Sequence, residues 1–81
     1  MRVVDQIAHP RCQITLFAWN GKYLLKFEQP MLEQTYKVSE MDVTGPDEVR
    51  ALARDEAFVA AVLRRFDEMR ADLAGAMQDD F

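Results

Sequence analysis

His9 and Cys12 stand three residues apart. At that spacing an imidazole and a thiolate can share a metal ion, or act as a nucleophile and its base. Each use needs partners. A structural zinc site takes about four Cys or His ligands, and the chain holds one Cys and one His, with Asp5 as a conceivable third ligand. A Cys–His pair needs a third group to orient it, and no residue at a fitting spacing provides one. His9 therefore reads as a turn residue ahead of Pro10, and Cys12 as a small strand residue.

The carboxylates give no better set. Asp55-Glu56, Asp67-Glu68 and Asp79-Asp80 are adjacent in sequence. Neighbours on a helix point about 100° apart, so they do not converge as an acid–base pair would. They read as a dipole complement, a solvated face and a frayed tail. Arg64 and Glu68 form an i,i+4 surface pair, worth a few tenths of a kcal/mol. Gly21, Gly45 and Gly75 stand alone, so no glycine-rich phosphate loop exists. The expectation is no catalytic set, no cofactor and no metal.

Charge is divided along the chain. Up to Thr44, five basic residues balance five acidic ones; from Gly45 on, five Arg meet nine Asp or Glu, and this half carries the net −4. Duplex nucleic acid or an anionic membrane would prefer a basic face. No apolar run nears the roughly 20 residues that span a bilayer. The start lacks a signal-peptide pattern and Cys12 has no disulfide partner, so a cytoplasmic protein is expected.

The elements that position these residues follow from punctuation and period. Arg2 to Ala8 leans toward β-structure until His9-Pro10 breaks it. Cys12 to Trp19 and Lys22 to Glu28 flank Asn20-Gly21, the strongest short signal for a type I′ hairpin. Gln29 to Leu32 makes a second connection, and Glu33 to Ser39 a further strand. Gly45 then offers a cap, Pro46 suits the first helical position, and Asp47-Glu48 complement the dipole. Asp55-Glu56 marks a second helix start or a kink. Val59, Val62, Leu63, Phe66, Met69, Leu73 and Met77 recur at three- and four-residue steps, the mark of a long amphipathic helix. Gly75 ends it or weakens its last turn.

The fold class expected is a single α+β domain over residues 1–81, with a sheet at about 2–40 and helices at about 46–78. An antiparallel meander of three to four strands precedes a short helix and a long C-terminal helix. The helices lie across one sheet face, giving two layers. At 81 residues without staples, one core gives only about 3–5 kcal/mol, so a homodimer is expected.

A two-residue loop also sets the register. Trp19 pairs with Lys22, Phe17 with Leu24, Ile14 with Phe27, and alternate pairs share a face. One face collects Ile14, Leu16, Ala18, Tyr23, Leu25 and Phe27. If Glu28 pairs with Glu33, Tyr36 and Val38 join it; this is the core face. The other face collects Phe17, Trp19, Lys22, Leu24, Lys26 and Lys37. Three uses are open to it. Other parts of the chain could cover its apolar half. It could be a protein interface, two copies stacking face to face. Or bases of a single strand could stack on Trp19 and Phe17 while phosphates meet Lys22, Lys26 and Lys37.

The stretches HPRCQITLFAWNGKYLLKFEQPMLEQTYKVSE and DEAFVAAVLRRFDEMRADL resemble a family of small uncharacterised bacterial proteins. His9-Pro10, Trp19-Asn20-Gly21-Lys22 and Leu32 to Lys37 are the most specific pieces. The resemblance brings no assigned activity and hence no functional residue. At the level of fold, strands followed by a helix are also similar to single repeats of the Pur-alpha and whirly single-strand nucleic-acid binders. That likeness implies paired units and sheets that take a single strand.

Overall fold

A computed structural model describes residues 1–79 of the chain. Four strands, β1 (Arg2–Ile7), β2 (Gln13–Trp19), β3 (Lys22–Gln29) and β4 (Leu32–Ser39), precede one turn of 3₁₀ helix at Glu40–Asp42. Two helices follow, α1 (Pro46–Arg54) and α2 (Glu56–Asp79). The strands form one antiparallel sheet in chain order.

Asn20 (φ 51°) and Gly21 (φ 76°) take the two positive dihedrals of a type I′ turn. Every expected β2–β3 pair is present, from Trp19 opposite Lys22 to Gln13 opposite Glu28. The second turn is tighter than expected. Pro30 presets its own φ, Met31 takes φ 68°, and Gln29 pairs with Leu32. Glu28 therefore lies opposite Glu33, and β4 keeps register without a bulge to Ser39. The bulge sits in β1, between Val3 and Asp5. It turns Val3 to the outer face beside Phe17 and Asp5 to the inner face beside Leu16, although residues two apart normally share a face.

Both helices pack on the inner face. Ile14, Leu16, Leu25 and Phe27 of the sheet meet Val49 and Ala53 of α1 and Val59, Val62, Leu63 and Phe66 of α2. Phe27, Tyr36 and Phe58 form an edge-on aromatic cluster with ring centroids 5.1–6.1 Å apart. Asp55 makes the corner between the helices. Its N–H donates to the Leu52 carbonyl at the end of α1, and its Oδ1 accepts from the Phe58 N–H at the start of α2. One aspartate thus stops one helix and caps the next.

Of the two roles open to Gly75, ending α2 is not the one taken: α2 runs 24 residues, through Gly75 to Asp79. At 1.5 Å per residue that is about 36 Å, whereas the eight-residue strands reach only about 27 Å. The helix outruns its sheet, and every residue from Arg70 to Gln78 is exposed. Leu73 (50%) and Met77 (51%) are thus half exposed rather than core. Met69, half-buried, is where the stripe leaves the core. The surface pair differs too. Arg70 pairs with Asp67 at 3.6 Å, while Arg64 and Glu68 make no ion pair among the described residues. Of the acidic pairs, Asp80 lies outside the described residues.

Phe66→Ala should cost about 3–5 kcal/mol as a buried aromatic truncation. Leu73→Ala, on the same stripe, should stay within about 0.5 kcal/mol. Urea unfolding of the two variants checks where the core ends.

Candidate interaction face

The sheet presents its outer face in rows set by register. Trp19, Lys22 and Ser39 form the row next to the I′ turn. Val3, Phe17, Leu24 and Lys37 form the second. Gln6, Thr15, Lys26 and Thr35 form the third, and Gln13, Glu28 and Glu33 the last. The six expected residues, Phe17, Trp19, Lys22, Leu24, Lys26 and Lys37, are brought onto one surface. Both helices lie on the opposite side.

Exposure is uneven across this surface. Trp19 is 46% exposed and Val3 53%, whereas Leu24, on a central strand between Phe17 and Lys37, is only 6% exposed. Phe17 is half-buried. The apolar patch is thus a closed centre at Leu24 with open ends at Trp19 and Val3. Val3 escaped sequence reading because a bulge, which no local residue signal announces, turned it outward.

The lysines are not equivalent. The Lys22 ammonium lies 5.6 Å from the centroid of the Trp19 ring, a cation–π contact. Lys26 sits 3.1 Å from Glu33 and 3.8 Å from Glu28. Its hydrogen bond to Glu33, with both carboxylates' charge behind it, pushes its pKa above the ordinary lysine value. Lys37 is exposed and makes no ion pair among the described residues. The face therefore has a polarity along its strands, aromatic and cationic near the I′ turn and anionic at the other end.

On the inner side, two arginines tie helix to sheet. Arg50 of α1 donates its Nε–H to Asp5 at 2.7 Å and pairs with Asp47 on its own helix. This holds the Asp5 carboxyl below its ordinary range, the Arg50 hydrogen bond being the main cause. Arg65 of α2 donates to Gln34 Oε1 at 3.1 Å and to the Tyr36 hydroxyl at 2.6 Å, while Gln34 Nε2 donates to the Val62 carbonyl at 2.9 Å. Neither clamp was readable in the sequence, since its members lie 45 and about 30 residues apart.

His9 and Cys12 do sit near one another, lining an open cleft of about 370 Å³ at the end of β1. Burial pushes the Cys12 thiol above its ordinary pKa, which leaves it protonated at neutral pH and a poor nucleophile. His9 Nδ1 accepts from the Arg11 N–H at 3.1 Å, so the imidazole closes its own turn. Asp5 belongs to Arg50. Among the described residues no group of three His, Cys, Asp or Glu is placed to hold a metal ion, and no helix is long and apolar enough to cross a membrane. No family model, curated protein or solved structure matches the chain.

Because Asp5 has a folded pKa below its unfolded one, its contribution to stability is complete above the unfolded value and is lost as pH falls through the folded value. Denaturation profiles of wild type and Asp5→Asn should run parallel above about pH 5 and converge as pH drops below the ordinary aspartate value of 3.8. A gap between them that is unchanged at pH 2.5 would deny the carboxylate this role.

Proposed function

We propose that this chain is a small non-enzymatic interaction module that works as a homodimer with the outer sheet faces stacked. The observation that carries this reading is the half-exposed Trp19, joined through Phe17 and Leu24 to Val3 on a face that no helix covers. Exposed apolar patches rimmed by polar residues mark interaction sites, and Trp is enriched among the residues that anchor protein interfaces. The face is about 19 Å across its strands and about 24 Å along them at standard spacings. Side chains standing off it bring the area toward the 600–1,000 Å² per partner of ordinary complexes, taken as about half the usual total.

The polarity of the face favours a second copy as the occupant. A two-fold axis lying across the strands reverses one copy's ends over the other. Lys22 of one copy then approaches Glu28 of its partner, twice by symmetry. Sheets packed in this way lie about 10 Å apart. The protein would act in the cytoplasm, where a lone thiol such as Cys12 is at home.

A single-stranded nucleic acid is the less favoured occupant. Lys26 is held by two carboxylates, which leaves Lys22 and Lys37, among the described residues of the face, as the cations able to meet phosphates. The near-neutral face offers little of the counterion release that drives such binding.

Trp19→Ala should weaken self-association at least tenfold, as loss of an interface anchor does. A half-exposed side chain should cost the monomer no more than about 1 kcal/mol. Sedimentation velocity against concentration, with thermal melts of both proteins, separates the two effects. An unchanged association constant would sink the stacked-face reading. Quenching of Trp19 by a mixed-sequence oligonucleotide that reverses with salt would move the reading to nucleic acid.

A further inference from the structure

We propose that the free edge of β4 is a second self-complementary surface, on which two copies pair β4 with β4, antiparallel, about a two-fold axis through Thr35. It is independent of the stacked face, and it follows from hydrogen-bond parity. The Asn20-Gly21 turn is closed by Trp19 and Lys22, which in a two-residue hairpin exchange backbone hydrogen bonds. In β3, therefore, Lys22, Leu24, Lys26 and Glu28 turn their peptide groups to β2, and the residues between them turn to β4. The second turn agrees, since Gln29 and Leu32 close it. In β4, Leu32, Gln34, Tyr36 and Val38 are thus bonded to β3. Glu33, Thr35 and Lys37 direct their N–H and C=O groups away from the sheet.

Those three residues are exposed, and no side chain or turn among the described residues bonds their peptide groups. Proteins usually blunt such an edge. The opposite edge is blunted here: β1 has six residues, a bulge after Val3 and an inward carboxylate at Asp5. β4 has eight residues and no bulge. Its two edge charges stand either side of Thr35 rather than repeating one sign.

Antiparallel pairing centred on Thr35 sets Thr35 against the partner's Thr35, and Glu33 against the partner's Lys37, twice. All of these are pairs that exchange backbone bonds, about six in all at two per pair. A shift of two residues either way leaves both charges unmatched. The product is a continuous eight-stranded sheet with all helices on one side and a doubled outer face. The edge axis is normal to the sheet and the stacking axis lies parallel to it; a stacking axis that crosses the edge axis near Thr35 closes the two interfaces into a tetramer of the common dihedral kind.

Sedimentation velocity on wild type, Trp19→Ala, Thr35→Pro and the double variant tests this. Among the described residues the Thr35 N–H serves no bond, so proline, which edge strands tolerate, removes a donor that the edge offers without breaking a ladder bond to β3. The expected masses are a tetramer, two dimers and a monomer. A Thr35→Pro mass equal to wild type overturns the edge proposal, whatever Trp19→Ala does, and so does a wild type that stays monomeric. A mass lowered by Thr35→Pro but not by Trp19→Ala keeps the edge and removes the stacked face. If circular dichroism shows that Thr35→Pro does not fold, Glu33→Lys and Lys37→Glu decide. Each alone should lose the edge interface, and a 1:1 mixture should regain it. A mixture that does not regain it overturns the proposal.

Discussion

The turn at Asn20-Gly21 is the constraint on which the rest depends. Strand side chains alternate with period two, so a register slip of one residue would exchange every inner side chain for an outer one. A two-residue turn with both dihedrals positive permits one register, and Asn20 and Gly21 supply them at φ 51° and 76°. From that register follow the buried row of Ile14, Leu16, Leu25 and Phe27 and the outer row of Trp19, Phe17 and Leu24. The direction of every peptide group on β4 follows as well. Core, face and edge are three consequences of one pair of residues.

The helices then act as a lid with two fastenings. Hydrophobic burial presses α1 and α2 onto the sheet without fixing their position along it, because dispersion and water exclusion have no direction. Arg50 fixes α1 by reaching Asp5, and Asp5 faces inward only because β1 is bulged. Arg65 fixes α2 at Gln34 and Tyr36, neutral acceptors beside the Phe27–Phe58 cluster. Asp55 sets the corner between the two helices. Directional polar contacts thus stand on the two edge strands, β1 and β4, and at the corner between the helices.

What could be read from the sequence was what is local. The hairpin, the cap at Gly45-Pro46 and the Val59–Phe66 stripe each rest on residues a few positions apart, and each is present. The pairing of Glu28 with Glu33 entered only as a condition, because Gln29 to Leu32 reads as a four-residue connection as readily as the tighter turn that Gln29 and Leu32 close. The end of the core was not legible. Leu73 and Met77 keep the helical period, but period says which side of a helix is apolar and not whether a sheet extends beneath it. The bulge that exposes Val3 and turns in Asp5 also left no mark, since Val3-Val4-Asp5 fits an unbroken strand equally well. Of the candidate face, its membership was readable and its electrostatics were not. Trp19 and the lysines were placed by register, whereas the hold of Glu33 and Glu28 on Lys26 is a matter of three-dimensional distance.

The separation of charge along the chain would give the proposed assembly a direction. The sheet half is neutral and the helical half carries the net −4. Two copies meeting through their helices would bring like charges together, and the exposed Leu73 and Met77 lie among Asp67, Glu68 and Asp72 on the same helix. Two copies meeting through their sheets face no net repulsion and find opposite charges at matched positions, Lys22 and Glu28 on the face and Glu33 and Lys37 at the edge. At the Debye length of about 8 Å in physiological salt, contacts between strands still feel these charges, while helices on the far side of a 10 Å layer scarcely do. The acidic helices therefore oppose association on their own side, which leaves the sheet as the surface through which the proposed self-association would run.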